Sequence, residues 1–169
     1  MTRAQRMIDV AARLGARRLV VCANTRAEAL DDPARAAADL AAIADMAAGR
    51  GLEVVYEALS TSAHVRTYEQ AWAIVHRARR PNLKFALSVA HTVFAGESFA
   101  ALDGLEFDPL GLVHLADAPN LKMDPHLLSG NYRLFPGQGD VPLRGLMREL
   151  EARGYAGPVS LEIFNDQMR

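Results

Sequence analysis

The chain has 169 residues, half of them hydrophobic, and this size and composition allow one domain with its own core. The formal net charge is −1, so no strong field favours binding to nucleic acid or to an anionic membrane. The single cysteine, Cys22, cannot form an intramolecular disulfide, and no apolar stretch approaches the roughly 20 residues that span a bilayer. We therefore expect a soluble, cytoplasmic protein.

Short apolar runs of strand length alternate along the chain with stretches in which apolar residues recur at helical spacing. The run at 18–23 is bounded on both sides, which predicts a strand that is buried on both faces. The predicted elements, in chain order, are a helix over 2–15, a strand over 18–23, a helix over 33–50, a strand over 53–59, a helix over 68–79, a strand over 83–87, a short helix near 97–103, a strand over 111–116, a loop over about 117–140, a helix over 142–153 and a strand over 158–164.

The alternation of strands and helices predicts right-handed crossover connections and a parallel sheet of five strands. Two architectures fit this order of elements. One is a TIM barrel, and the other is a flavodoxin-like sheet, which also has five parallel strands. The sequence contains no glycine-rich phosphate loop of the dinucleotide or Walker type, which argues against nucleotide binding.

Polar side chains recur where the predicted strands end. Glu57, His114 and Glu162 lie at or near the carboxyl ends of strands, and His91 and Asp117 follow two other strand ends within a few residues. The carboxyl ends of parallel strands share one edge of the sheet, and both candidate architectures bind ligands at that edge. We therefore expect these side chains to meet there and to form the functional site.

Several segments together resemble one family of enzymes. They are Tyr-Glu-Ala-Leu at 56–59, His-Val at 64–65, the helical segment 69–75, Leu-Ala-Asp-Ala-Pro at 115–119, the segment 133–140 with its Phe-Pro-Gly-Gln-Gly-Asp, and the segment 154–166. This set is similar to the sugar phosphate isomerase/epimerase superfamily with its xylose-isomerase-like TIM barrel, and within it to bacterial 3-dehydroshikimate dehydratases. The resemblance implies an α/β fold in which 1–169 is one partial domain with the last five strands of a (β/α)₈ barrel, truncated at both ends.

The resemblance also implies a divalent metal, Mg, Mn, Co or Zn, held at strand ends by a Glu, an Asp, a Gln or His, and a second Glu. Glu57, His114 and Glu162 match three of these positions. Carboxylate oxygens suit Mg²⁺ or Mn²⁺, and an added imidazole admits Zn²⁺ or Co²⁺. Ser88 stands where the family has its aspartate, so metal affinity should fall unless His91, Asp117 or a water fills the gap.

His91 is the general base that the resemblance implies, because an imidazole can abstract a proton next to a ketone. The metal would polarise that ketone, and loss of water would convert 3-dehydroshikimate to protocatechuate. Arg133 is expected to pair with a substrate carboxylate, and His64 to line the substrate pocket. The dehydratases carry Ser-Arg-His-His-Arg where this chain has Ser-Gly-Asn-Tyr-Arg at 129–133, which leaves the identity of the substrate open.

Three functional hypotheses follow. The first is a metal-dependent lyase, the second is a sugar isomerase or epimerase of the same superfamily, and the third is an inactive truncated remnant. His114 favours the second, because related epimerases carry a His there, and Ser88 favours the third. The expected partner of the first two is a small polyhydroxylated substrate, with neither nucleic acid nor membrane. The open edges of a partial barrel also predict poor solubility or self-association.

Overall fold

Five parallel strands form one sheet in a computed structural model of the chain, which describes residues 2–166. The strands are β1 (Arg18–Cys22), β2 (Glu53–Glu57), β3 (Leu83–Ser88), β4 (Leu110–Leu115) and β5 (Val159–Leu161). They are hydrogen-bonded in chain order, and every neighbouring pair is parallel. A flavodoxin-like sheet changes direction in its strand order. The unbroken order therefore excludes that alternative and confirms the predicted arc of a barrel.

Helices connect the strands, and several of them begin at capping residues. The α-helices among residues 2–166 are α1 (Arg3–Arg13), α2 (Pro33–Ala48), α3 (Tyr68–Ala78), α4 (Val89–Phe94), α5 (Pro125–Asn131) and α6 (Leu143–Ala152), and a 3₁₀ helix covers Ala100–Gly104. Thr67 and Gln70 form a capping box at the start of α3, and Asp32 caps α2. No helix in this part of the chain is long and apolar enough to cross a membrane.

The two faces of the sheet are packed differently. One face, with Phe85 and Val113, joins residues of α1, α2, α3 and α6 in the main hydrophobic core. The opposite face, which we call the inner face, carries a small separate cluster of Val55, Ala86 and Leu112. Helices packed on one face and a side-chain layer on the other are what an arc of a (β/α)₈ barrel requires.

Strand alternation continues the inner face up to the carboxyl edge of the sheet. The sheet register pairs Glu57 with Ala86, and Ser88 with His114. Cys22 is the partner of Glu57 on its other side. Because registered neighbours point the same way and every second residue shares a face, all these side chains belong to the inner face.

Two strand predictions need correction. The prediction that β1 is buried on both faces is wrong, because β1 is an edge of the described sheet and its residues are half-buried or exposed. The strand predicted over 158–164 is shorter, Val159–Leu161. Beyond Leu161 the chain turns toward the loop after β4, where Asn165 forms a bridge with Tyr132.

Two helices occur where none was predicted, and one predicted helix has different bounds and a different type. α4 directly follows β3, α5 lies inside the predicted loop, and the helix predicted near 97–103 is the 3₁₀ helix Ala100–Gly104. α4 has six residues, which is too few to show a periodic apolar pattern. For α5 a signal was present, because Asp124 followed by Pro125 is typical of a helix start.

Candidate metal centre and active site

Three side chains of metal-ligand type converge on the inner face at the carboxyl edge of the sheet. Glu57 is the last residue of β2, His114 is next to last in β4, and Glu162 directly follows β5. Each offers one ligand atom, and the three atoms lie within 4.8 Å of one another. The structure thus brings together the three residues that sequence analysis placed at this edge. We call them the ligand cluster.

A hydrogen bond between His114 and Glu57 sets the charges inside the ligand cluster. His114 Nδ1 lies 2.8 Å from Glu57 Oε1 and 3.7 Å from Glu162 Oε2. Burial alone would raise the pKa of Glu57, but the hydrogen bond and charge of His114 lower that pKa. Burial alone would lower the pKa of His114, but the hydrogen bond to Glu57 raises it. Both shifts favour the ionised pair, with His114 as donor.

Arg133 is buried beside the ligand cluster, with only 2% of its surface exposed. Its backbone is fixed on both sides. Arg133 N donates to Phe164 O at 3.0 Å, and Asn165 Nδ2 donates to Arg133 O at 3.1 Å. The guanidinium carbon lies 4.6 Å from the centre of the Phe164 ring. The turn after β5 therefore positions this arginine.

All five N–H donors of the Arg133 guanidinium face acceptors within the protein. Nε donates to Ser129 O at 3.0 Å, and Nη2 lies 3.2 Å from Ser129 Oγ and 3.1 Å from His91 Nε2. Nη1 donates to Glu162 Oε2 and approaches Glu162 O at 3.5 Å. No donor is left for a substrate carboxylate in this arrangement. The predicted contact of Arg133 with substrate therefore requires that some of these bonds exchange.

His91 lies in α4 with 5% of its surface exposed, and protein groups face both of its ring nitrogens. Nδ1 is 2.9 Å from Ser60 Oγ and 3.1 Å from Ser60 N. Ser60 N–H points at Nδ1 and the Arg133 guanidinium points at Nε2, and both groups can only donate. A neutral imidazole accepts at one nitrogen, so these two donors compete for its single free lone pair. Burial first and the Arg133 charge second lower the pKa of His91 to about 4. The ring is neutral at pH 7, but its free lone pair is occupied.

Asp117 does not fill the gap that Ser88 leaves in the ligand cluster. Its side chain is 1% exposed. Its carboxylate accepts backbone hydrogen bonds from Ala118 and Gly137 at 2.9 Å and from Val141 at 3.0 Å. Burial would raise the pKa of Asp117, but the backbone N–H groups of Gly139 first, and then of Val141, Ala118 and Gly137, lower that pKa. Asp117 therefore anchors the loop that precedes α6.

His64 lies in a separate cleft. Its Nε2 is 2.7 Å from Ala29 O, and its Nδ1 is 3.9 Å from the Asp31 carboxylate. The cleft, of about 340 Å³, is also lined by Asn24 and by Tyr56, which belongs to the main core on the other face of the sheet. Within residues 2–166, His64 makes no hydrogen bond or ion pair with the ligand cluster. The role of His64 in substrate binding stays a prediction.

Four side chains that sequence analysis missed also shape the site: Cys22, Ser60, Ser129 and Phe164. Cys22 Sγ lies 3.8 Å from Glu57 Oε2, and burial together with the charges of Glu57 and Glu162 raises the pKa of this thiol to about 11. Cys22 ends β1 as Glu57 ends β2, so strand alternation could have found it. Ser60 and Ser129 lie outside the predicted strands, where no periodic pattern predicts their direction. Phe164 ends the strand predicted over 158–164 but lies beyond the observed end of β5, so alternation does not predict its direction either.

Comparisons with known proteins agree with this architecture. A sequence-family model described as xylose isomerase-like TIM barrel matches residues 1–169. The 3-dehydroshikimate dehydratase of Pseudomonas aeruginosa is 42% identical over the whole chain, and that of Pseudomonas putida is 40% identical. The chain spans 27% of the length of each. An inosose isomerase of Halalkalibacterium halodurans is 26% identical over 76% of this chain and 45% of its own length.

Solved structures share the fold. A xylose isomerase-like TIM barrel/4-hydroxyphenylpyruvate dioxygenase fusion protein superposes with a TM-score of 0.92 at 40% identity, over 99% of this chain and 27% of that chain. The IOLI protein, crystallised with a bound zinc atom, superposes with a TM-score of 0.83 over 97% of this chain and 60% of its own. Its 23% identity shows a common fold. Because the family model covers the whole chain, this protein belongs to the xylose isomerase-like TIM barrel family.

Proposed function

We propose that this chain is part of a metal-dependent TIM-barrel lyase that removes water from 3-dehydroshikimate to give protocatechuate. The observation that carries the proposal is the ligand cluster, in which Glu57, His114 and Glu162 meet within 4.8 Å. The cluster lies at the carboxyl edge of the strands, where TIM-barrel enzymes have their active sites. The 42% identity to the Pseudomonas aeruginosa dehydratase supports this choice of reaction.

The donor set of the ligand cluster suits a divalent cation. Carboxylate oxygens suit Mg²⁺ and Mn²⁺, and the added imidazole also suits Zn²⁺ and Co²⁺. Ser88 Oγ is buried next to His114 and has no hydrogen-bond partner among residues 2–166. A bound group could supply that partner. The zinc atom in the related IOLI barrel also supports a cation here. A cation bound at this position supplies polarisation of the substrate carbonyl.

His91 is the proposed proton acceptor. This role requires the tautomer with the proton on Nδ1, where Ser60 Oγ can accept it, so that Nε2 takes the proton next to the carbonyl. Departure of the hydroxyl group from the neighbouring carbon, together with a proton, then completes the loss of one water. A base with a pKa near 4 is weak at neutral pH, and the Arg133 charge is one cause of that low pKa. His91 should therefore act only after Arg133 has moved away from Nε2.

Arg133 is the proposed partner of the substrate carboxylate, as its planar fork suits bidentate pairing. In this role it exchanges bonds to Ser129, His91 or Glu162 for bonds to substrate. His64 stays outside the proposed mechanism, because its contacts lie in the separate cleft.

The proposal is tested by a product assay on the purified protein with a divalent cation. We expect 3-dehydroshikimate to disappear and protocatechuate to form. Glu57→Gln should abolish turnover because it removes a charged ligand, whereas Glu53→Gln, on the same strand but paired with Arg18, should retain it. A protein that binds the cation but forms no protocatechuate from 3-dehydroshikimate would contradict the proposed lyase activity.

A sugar isomerase or epimerase is the second candidate, and His114 is the observation that favours it. The resemblance places a Gln at this position in dehydratases and a His in related epimerases. The 26% identity to an inosose isomerase over 76% of the chain points the same way. The same assay with inosose and with keto-sugars distinguishes the two, because an isomerase returns a product of unchanged composition. If the chain binds a cation but converts none of these substrates, the third hypothesis, an inactive remnant, is the one that remains.

A further inference from the structure

We propose that Arg133 is a positioning residue that competes with a divalent cation for Glu162 and caps His91 until the cation binds. This inference rests on the proposed function, because it requires that the ligand cluster binds a cation. The Glu162 carboxylate is partly buried and needs a positive partner to be tolerated. The Arg133 guanidinium is hydrogen-bonded to this carboxylate, and His114 Nδ1 lies farther away, at 3.7 Å.

Arg133 and a cation in the ligand cluster need the same atom of Glu162. Oε2 is the carboxylate oxygen that lies 3.7 Å from His114 Nδ1, so it is the oxygen that faces the rest of the cluster. Arg133 Nη1 donates to that same oxygen. A guanidinium and a divalent ion on one oxygen repel each other strongly in a poorly solvated site. Binding of the cation therefore weakens or breaks the Arg133 bond.

Release of Glu162 also releases His91. The same guanidinium reaches His91 Nε2 through Nη2 at 3.1 Å. A guanidinium is planar and rigid, so Nη1 cannot leave Glu162 without moving Nη2. One displacement thus frees the carboxylate for the cation and the lone pair of Nε2 for a proton. Arg133 couples the loading of the site to the availability of its base.

Arg153 provides a matched control away from the site. It pairs with two carboxylates, those of Asp103 and Glu149, and its guanidinium carbon lies 5.1 Å from the centre of the Phe107 ring. Replacing it with methionine therefore removes a similar set of contacts and the same charge. None of these partners belongs to the ligand cluster.

The test is calorimetric titration of Zn²⁺ into the full chain, the Arg133→Met variant and the Arg153→Met variant. We expect Arg133→Met to bind Zn²⁺ about tenfold or more tightly than the parent chain, because a charge-assisted hydrogen bond no longer competes for Glu162. Arg153→Met should bind like the parent. Equal or weaker binding by Arg133→Met would overturn the competition and would mean that Arg133 orients Glu162 for the ion.

A second measurement uses the unmodified chain, so it does not depend on the folding of a variant. In NMR spectra of isotope-labelled protein, the side-chain N–H signals of Arg133 and the ring signals of His91 should change with the same midpoint as Zn²⁺ is added. The Arg153 signals should stay in place. Zinc binding without a change at Arg133 overturns the inference alone. Failure of every form to bind zinc overturns the proposed metal centre and the inference with it.

Discussion

Ser88 ends β3, at the position where the resemblance implies an aspartate ligand. The residue is 4% exposed and lies beside His114 in the sheet. Its hydroxyl has no hydrogen-bond partner within residues 2–166. A serine hydroxyl is neutral and binds hard cations weakly, whereas a carboxylate in the same place adds a full negative charge. The side chain at position 88 should therefore control how tightly the ligand cluster binds a cation.

We expect Ser88→Asp to bind Mn²⁺ about tenfold or more tightly than the parent chain, because the third carboxylate adds Coulomb attraction in a poorly solvated site. Calorimetry with Mn²⁺ on both forms measures the difference. Ser88→Asn is the matched control, since it has nearly the shape of aspartate without its charge. Equal affinities of the Asp variant and the parent would mean that position 88 does not face the ion.

His91 makes the stability of the fold depend on pH. The folded protein keeps this ring neutral down to about pH 4, whereas the ring in the unfolded chain takes up a proton near pH 6.5. Between these values this ring binds more protons in the unfolded state, so its contribution to the free energy of unfolding falls as the pH drops. The loss over the whole window reaches about 3 kcal/mol.

Urea unfolding at several pH values between 4 and 6.5 measures this loss. His91→Gln has no ring to protonate, so its free energy of unfolding should vary less over the same window. His76→Gln, which changes an exposed histidine, should keep the dependence of the parent chain. Identical pH dependence in the parent and in His91→Gln would show that the buried ring is not the source.

At the scale of elements, one carboxylate holds the loop that joins β4 to α6. Asp117 accepts backbone hydrogen bonds from Gly137 and Val141 at the far side of the loop. Gly139 packs against it so closely that an added Cβ would lie 2.5 Å from Asp117 Oδ1. Because Arg133 belongs to the same loop, the fixed path of the loop also fixes the arginine in the site.

Gly139→Ala should lower the free energy of unfolding by about 1–3 kcal/mol, because the methyl group collides with Asp117 and with the neighbouring backbone. Gly145→Ala is the control: it lies in α6 with nothing within 4 Å, and an alanine there should be neutral or stabilise the helix by up to about 1 kcal/mol. Denaturant unfolding compares the two. A Gly139→Ala protein as stable as Gly145→Ala would contradict the close packing.

The elements that could be predicted are those whose burial leaves a periodic pattern. β2, β3 and the long helices have such patterns because the apolar side chains on one side of each element are buried in the core. The apolar sequence of β1 predicts a strand but does not show whether other elements cover it, so its burial was predicted wrongly. α4 is too short to show a period, so the prediction left His91 without an element, between the strand over 83–87 and the helix near 97–103.

The same reason divides the residues of the site. Glu57 and Glu162 could be found from sequence, because their strands point them at one edge. The full set of hydrogen bonds made by Arg133 could not be predicted, because it depends on where the loop after β4 places Ser129 and on how α4 orients His91. These positions follow from tertiary packing and not from any local pattern.

At the scale of the whole molecule, the described sheet ends at two strand edges, β1 and β5. Leu161 on β5 is 54% exposed, and Val159 and Val20 are also among the exposed apolar side chains. Strand edges present unpaired backbone groups, and exposed apolar neighbours favour their pairing with another chain. The isolated chain therefore has two surfaces suited to self-association.

We expect the purified chain to form larger species as its concentration rises, as measured by light scattering. Leu161→Lys should associate less, because a charge on the edge strand opposes pairing with a second copy. A parent chain that stays a compact monomer at all concentrations and melts cooperatively would contradict association through the edges.

The most direct test of the metal centre is equilibrium dialysis of the chain against Zn²⁺. We expect one ion per chain, and an affinity lower by about tenfold or more in Glu57→Gln, because that change removes a charged ligand. Glu53→Gln is the matched control, since Glu53 lies on the same strand but pairs with Arg18 at 2.9 Å, and it should bind zinc like the parent. Equal zinc binding by the parent and by Glu57→Gln would contradict a metal centre formed by Glu57, His114 and Glu162.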